Sequence, residues 1–180
     1  MALVKKIKDR KVNIEFNKEF IKVINEKIKS QDTDFLSKSL KELLPADSAD
    51  IIENLSSENR SKLIELEGFN IVPEIFVELN ESIQTEIFLL LSVESIASLL
   101  KKLESDNALK IFENLDKSKK ETVLNKLPPK DRFLLEEGLS YPQDTAARIM
   151  QREFTAIPSN WSVGQTIDYL RENKDLPDDF

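Results

Sequence analysis

With no cysteine and no histidine in 180 residues, the chain lacks a thiol nucleophile, an imidazole base, a disulfide framework and conventional zinc ligands. Oxygen remains. There are 33 acidic side chains, and several stand where helices are expected to begin, at Asp47, Asp50 and Asp106. Carboxylates, carbonyls and water are the ligands of hard cations, so that chemistry stays open. The plainer role of a carboxylate at a helix start is to favour the helix dipole. A two-carboxylate hydrolase would need a convergent acid pair in a pocket, and no spacing here selects one. The chain is therefore expected not to be an enzyme. Glu53, Glu65 and Glu113 are expected on solvated faces.

The elements that must hold these acids come from a repeat. Between Leu40 and Leu139 an apolar signature returns about every twelve residues. Ile51-Ile52-Glu53-Asn54-Leu55 has relatives at Ile75 to Leu79, Leu99 to Leu103, Ile111 to Leu115 and Val123 to Leu127, and Leu43, Leu91 and Leu139 close related segments in phase. Leu66 arrives one residue early and breaks step. Such a period marks units too small to be stable alone, which bury their apolar faces on neighbours.

The residue after each closing leucine is Ser56, Asn80, Ser92, Asp116, Pro128 or Ser140, with Ser105 following Glu104. Ser, Asn and Asp accept hydrogen bonds from the first N–H groups of a helix, and proline suits its first turn. Each leucine is thus expected to close one helix and each following residue to open the next. Ahead of the repeat, Phe20, Ile21, Ile24 and Ile28 predict a helix from about Asn17 to Lys29, ended at Gln31-Asp32-Thr33. Leu36, Leu40 and Leu43 predict a second, from near Asp34 to just before Pro45. Gly68 stands where a left-handed terminating residue is expected, with Pro73 at the next helix start.

Beyond Leu139 the pattern changes. Tyr141-Pro142-Gln143 reads as a turn, Asp144 is placed to cap a short helix through Met150, and Phe154 to Ile157 reads as a strand ended by Pro158. Ser162 is placed to cap a last amphipathic helix carrying Val163, Ile167 and Leu170. A lone strand needs a partner, so this segment is expected to open another domain. Three glycines argue against a glycine-lined nucleotide site or a turn-rich sandwich. A net charge of −7 with scattered lysines offers no basic face for nucleic acid. No stretch approaches the roughly twenty apolar residues of a membrane span. The domains expected are a flexible basic arm (1–16), a helical repeat (17–140), a linker helix (141–153) and the truncated start of a further domain (154–180).

Leu44-Pro45-Ala46-Asp47-Ser48-Ala49-Asp50-Ile51-Ile52-Glu53-Asn54-Leu55, the repeated short helices, and Tyr141-Pro142-Gln143-Asp144-Thr145-Ala146-Ala147-Arg148-Ile149-Met150 together resemble the cytosolic N-terminal domain of the MgtE-type magnesium transporters and channels. Glu153-Phe154-Thr155-Ala156-Ile157-Pro158 through Leu170-Arg171 resembles the start of a first CBS domain. The leucine repeat alone is also similar to flagellar motor switch units, which would make the chain a protein-interaction scaffold. A free-standing adaptor that binds a peptide, anchored by Trp161 or an exposed Phe, is a further alternative.

The MgtE resemblance implies an all-α fold, a right-handed superhelix (solenoid) of about ten short antiparallel helices with a C-terminal CBS fragment. It implies a regulatory role on the cytoplasmic side of the membrane, in a homodimeric parent whose pore closes when magnesium bridges this domain to CBS domains of the same chain. In the family an acidic pair opens the helix corresponding to Ser105-Asp106-Asn107, with another carboxylate one turn on. Here Asp106 matches, Asn107 is neutral and Lys110 takes the later place; Ala146-Ala147-Arg148 also lacks the family's usual glycine. Asp106 is thus the expected metal ligand, supplying half a site, and magnesium binding by this chain alone is expected to be weak.

Overall fold

A helical repeat this poor in glycine has few left-handed turns to draw on, and the closing leucines supply another means. In the computed structural model, Leu43, Leu79, Leu91 and Leu127 occupy helix C-caps in extended backbone, with φ between −85 and −65° and ψ between 143 and 161°. Any L-residue adopts that conformation. One extended residue redirects the chain and the next caps a new helix.

The structure describes residues 14–67, 71–173 and 176. These hold helices α1 (Ile14–Ser30), α2 (Thr33–Glu42), α3 (Pro45–Glu53), α4 (Ser57–Glu67), α5 (Pro73–Glu78), α6 (Glu81–Leu90), α7 (Val93–Leu100), α8 (Ser105–Glu113), α9 (Lys117–Lys126), α10 (Pro129–Ser140), α11 (Ala146–Ile149) and α12 (Val163–Glu172). Most of the expected caps form. The side chains of Ser56, Asn80, Ser92 and Asp116 accept from the N–H groups of Asn59, Ile83, Ser95 and Ser118. Pro45, Pro73 and Pro129 open α3, α5 and α10.

Helices pack mainly on the helix two places along: α2 on α4, α3 on α5, α4 on α6, α7 on α9 and α8 on α10, with α5 also against α8. That arrangement turns short units into one continuous core. It runs from Phe20, Ile24 and Ile28 of α1 through Ile52, Leu63, Ile75, Ile87, Ile96 and Ile111 to Val123 and Leu135. The expected all-α fold is thus the observed one.

The same turns leave helix C-terminal carbonyls without intrahelical partners. A second regularity satisfies them. Five residues after a closing leucine stand Ser48, Arg60, Gln84 and Lys120, and each reaches back to the preceding helix. Ser48 Oγ donates to Leu40 O (3.2 Å), Arg60 Nε to Ile52 O (3.1 Å), Gln84 Nε2 to Phe76 O (2.8 Å) and Lys120 Nζ to Glu113 O (2.8 Å). Lys119 Nζ does the same for α6, meeting Phe88 O and Leu91 O at 2.7 and 2.9 Å. Side-chain donors replace the glycine caps.

Four expectations change. The first helix begins at Ile14 rather than Asn17. Ser140 does not open a helix: α10 runs on to it, and its hydroxyl donates to Glu137 O at 2.6 Å. Thr145, not Asp144, holds the N-cap position of α11. Residues 154–157 form no strand, and none exists among the described residues to pair with them. Residues 1–13, within the expected basic arm, and the expected turn at Gly68 lie outside the described residues.

Candidate functional site

Helix α8 begins against a distant part of the chain. Glu104 takes the N-cap position, and the carboxylate that receives the first N–H comes from Glu153, far along the chain. Ser105 N lies 3.1 and 3.2 Å from the two Glu153 oxygens, and Ser105 Oγ donates to Glu153 Oε2 at 2.7 Å. The serine hydroxyl in turn accepts from Arg152 N at 2.9 Å. Negative charge at the positive end of a helix, with charge-assisted hydrogen bonds, stabilises both partners.

Asp106 stands next to this junction, in the first turn of α8. Its carboxylate is half-buried and its Oδ1 accepts from Asn107 N at 2.8 Å. One turn on, Lys110 extends its ammonium towards α5, where it donates to Val77 O at 3.3 Å. Among the described residues no three acidic side chains come close enough to hold a metal ion between them. The donor set around Asp106 is that of an open face. Asp47 is half-buried and Asp50 exposed, both on α3.

Two glutamates expected on solvated faces are engaged instead. Glu113, at the end of α8, forms an ion pair with Arg148, whose side chain is 9% exposed. The Arg148 Nε lies 3.0 Å from Glu113 Oε1, and its Nη1 donates to Gly138 O at 2.8 Å and Tyr141 O at 3.2 Å. Glu53 accepts Asn80 N at 2.6 Å, linking α3 to the start of α6. Glu65 is exposed, as expected.

Arg152 completes the junction. Its side chain is only 4% exposed and stands 3.6 Å from Glu137. Nη2 donates to Ala147 O at 2.6 Å, and the guanidinium lies 5.7 Å from the Tyr141 ring centre. Room for it depends on Gly138, where an added Cβ would come 2.8 Å from Leu109 Cδ2 and 3.4 Å from Arg152 Nη1. The short helix α11, which holds Ala146 and Ala147, is thus fixed by two buried arginine side chains. Their partners lie 35 and 15 positions away, beyond the reach of local sequence patterns.

Residues 43–144 match the sequence profile of a family described as the MgtE intracellular N domain. Among solved structures, the chain aligns with the soluble part of a magnesium transporter, at TM-score 0.72 and 22% identity over 86% of this chain and 61% of that one. It aligns with the cytosolic domain of the Mg2+ channel MgtE in complex with ATP at TM-score 0.70 and 22% identity, over 82% of this chain and 61% of that one. The chain therefore spans about three-fifths of the length of these structures. At such identity the likeness establishes the fold. No curated protein is significantly similar in sequence.

Proposed function

The chain belongs to the MgtE intracellular N domain family, and from that premise we propose that it is the magnesium-sensing regulatory domain of a magnesium transporter or channel, closing the pore when magnesium bridges it to CBS domains. The observation that carries this reading is the family match, which takes in every turn from Leu43 to Asp144. The protein acts by binding and not as an enzyme.

The physical basis is electrostatic. Two acidic surfaces repel when brought together, and a divalent cation between them turns repulsion into attachment. Magnesium prefers octahedral oxygen coordination, keeps several waters and often uses only one or two carboxylates. A half-exposed Asp106 that belongs to no cluster of three ligating side chains among the described residues fits one half of such a bridge. The other half belongs to a partner surface, and the neutral Asn107 and the cationic Lys110 one turn on make this half weak.

That partner surface is a CBS domain of the same chain, which residues 154–180 begin. In support, this segment keeps apolar side chains in water: Phe154, Ile157, Val163 and Ile167 are 68, 44, 77 and 41% exposed. Helix α12 has a full capping box at Ser162 and Gln165 yet buries no residue. A well-formed amphipathic helix with a bare face is an element awaiting its layer. In the parent, a homodimer, the domain would lie on the intracellular side of the membrane, as the family description has it.

The test is made in the full-length parent. Magnesium should protect the interdomain connection from proteolysis, and Asp106→Ala should move that protection to higher magnesium. Unchanged protection in the variant would remove Asp106 from the site.

A further inference from the structure

Residues 141–153 leave the end of α10, turn at Pro142, and return across α8. We propose that this stretch is a strap, fastened to the helical repeat at its far end by Glu153, and that the chain pivots after Glu153 and not at the Pro142 turn. The inference rests on the geometry of these residues and stands whether or not the magnesium reading does.

Three fastenings hold the strap. Arg148 ties it to Glu113 of α8 and to Gly138 O in the last turn of α10, and also holds Tyr141 O at the strap's own start. Arg152, buried beside Glu137, also gathers the strap's own carbonyls, Ala147 O and Met150 O. Glu153 and Ser105 form a reciprocal pair, in which the serine N–H and hydroxyl donate to the carboxylate and the serine oxygen accepts Arg152 N–H. A carboxylate on two backbone-anchored donors at a helix N-terminus is a strong, directional contact.

One residue later the fastening stops. Residues 154–157 make no hydrogen bond to the described residues of the repeat, and Phe154 is 68% exposed. The chain then forms a local unit: Trp161 N donates to Pro158 O at 3.1 Å, and the Trp161 ring meets Tyr169 of α12 edge-on at 5.2 Å. Between that unit and α10 lies an open concavity of about 370 Å³, with Lys130 and Leu134 on one wall and Tyr169 and Asn173 on the other. A tightly held segment followed by a bare one, then by a unit across a gap, is the layout of a hinge. Any partner that draws α12 closer would bend the chain at 154–157 while the strap stays in place.

Site-resolved hydrogen exchange on this chain tests the proposal. The amides of Ser105, Arg148, Met150 and Arg152 should exchange at least tenfold more slowly than those of 154–157. Glu153→Ala should accelerate Ser105 and Arg152 at least tenfold and leave Ile87 and Ile96 unchanged. Ser105→Ala, which keeps the backbone donor and removes the hydroxyl, should accelerate Arg152. If the Glu153 variant does not fold, the wild-type profile and the serine variant still decide. Equal exchange across 148–157, or an Arg152 amide indifferent to the loss of the Ser105 hydroxyl, would overturn the strap.

Discussion

Gln84 and Asn114 meet at 2.7 Å, the asparagine Nδ2 donating to the glutamine Oε1 across 30 positions of sequence. Gln84 is fully buried and its own amide donates to Phe76 O and Leu79 O at 2.8 and 2.9 Å. All of its polar atoms are therefore in use, and it joins the end of α5 to α6 and to the end of α8. Gln84→Leu keeps the size and strands two carbonyls and one amide. A cost of about 2–4 kcal/mol is expected, since buried groups left without partners incur their full desolvation penalty. Urea denaturation of the two proteins measures it, and a loss below about 1 kcal/mol would mean that water reaches these carbonyls.

Gln31 is the one described non-glycine residue with positive φ, at 54°. It ends α1 in a Schellman arrangement, with Gln31 N on Ile28 O at 3.2 Å and Asp32 N on Lys27 O at 3.0 Å. Glycine is the residue for that position, because a Cβ in left-handed backbone clashes with the adjoining carbonyl. Gln31→Gly is expected to stabilise the fold by about 0.5–1 kcal/mol, the relief being partly offset by a freer unfolded chain. Thermal unfolding checks the sign. A lower midpoint would show that the glutamine side chain matters more than its backbone strain.

Two capping aspartates make stability depend on acid. The Lys27 ammonium, 2.6 Å away, followed by the Phe35 N–H, holds the Asp32 carboxyl below its ordinary range. The Ser118 hydroxyl and then the Ser118 N–H do the same for Asp116. A group whose folded pKa is depressed contributes stability that is fully present above its unfolded pKa, near about 4, and is lost as pH falls through the folded value. Asp116→Asn removes one such titration. Its deficit in thermal midpoint against the wild type should be constant from neutral pH to about pH 5 and shrink below about pH 4. A deficit that grows in acid would contradict the assignment.

The scaffold was legible because its signals are local. A closing leucine, a polar cap behind it and a proline in the first turn lie within a few residues of one another, and nearly every boundary so placed is observed. The phase of these side-chain donors is equally local: Ser48, Arg60, Gln84 and Lys120 recur five residues past a leucine. A polar residue in phase with a core, in a chain short of glycine, is the signal for a side-chain cap on a helix end. The junction at α8 was not legible. Glu153 and Ser105 are 48 positions apart, and only the return path of the strap makes them neighbours. Glu113 leaves the solvated face that its local pattern predicts for the same reason, since Arg148 reaches it from 35 positions away. Asp106 is singled out by family resemblance alone, and its half-exposed place beside the junction follows from folding rather than from spacing.

The most direct test of the magnesium reading is a titration of this chain with magnesium, followed by nuclear magnetic resonance of its backbone amides and by calorimetry. The account predicts weak, non-stoichiometric heat and small shifts centred on Asp106 and its neighbours Ser105 and Asn107, absent in Asp106→Ala. Submicromolar affinity would contradict it by requiring a complete ligand cage within the chain, and shifts that persist in the variant would place the ion elsewhere.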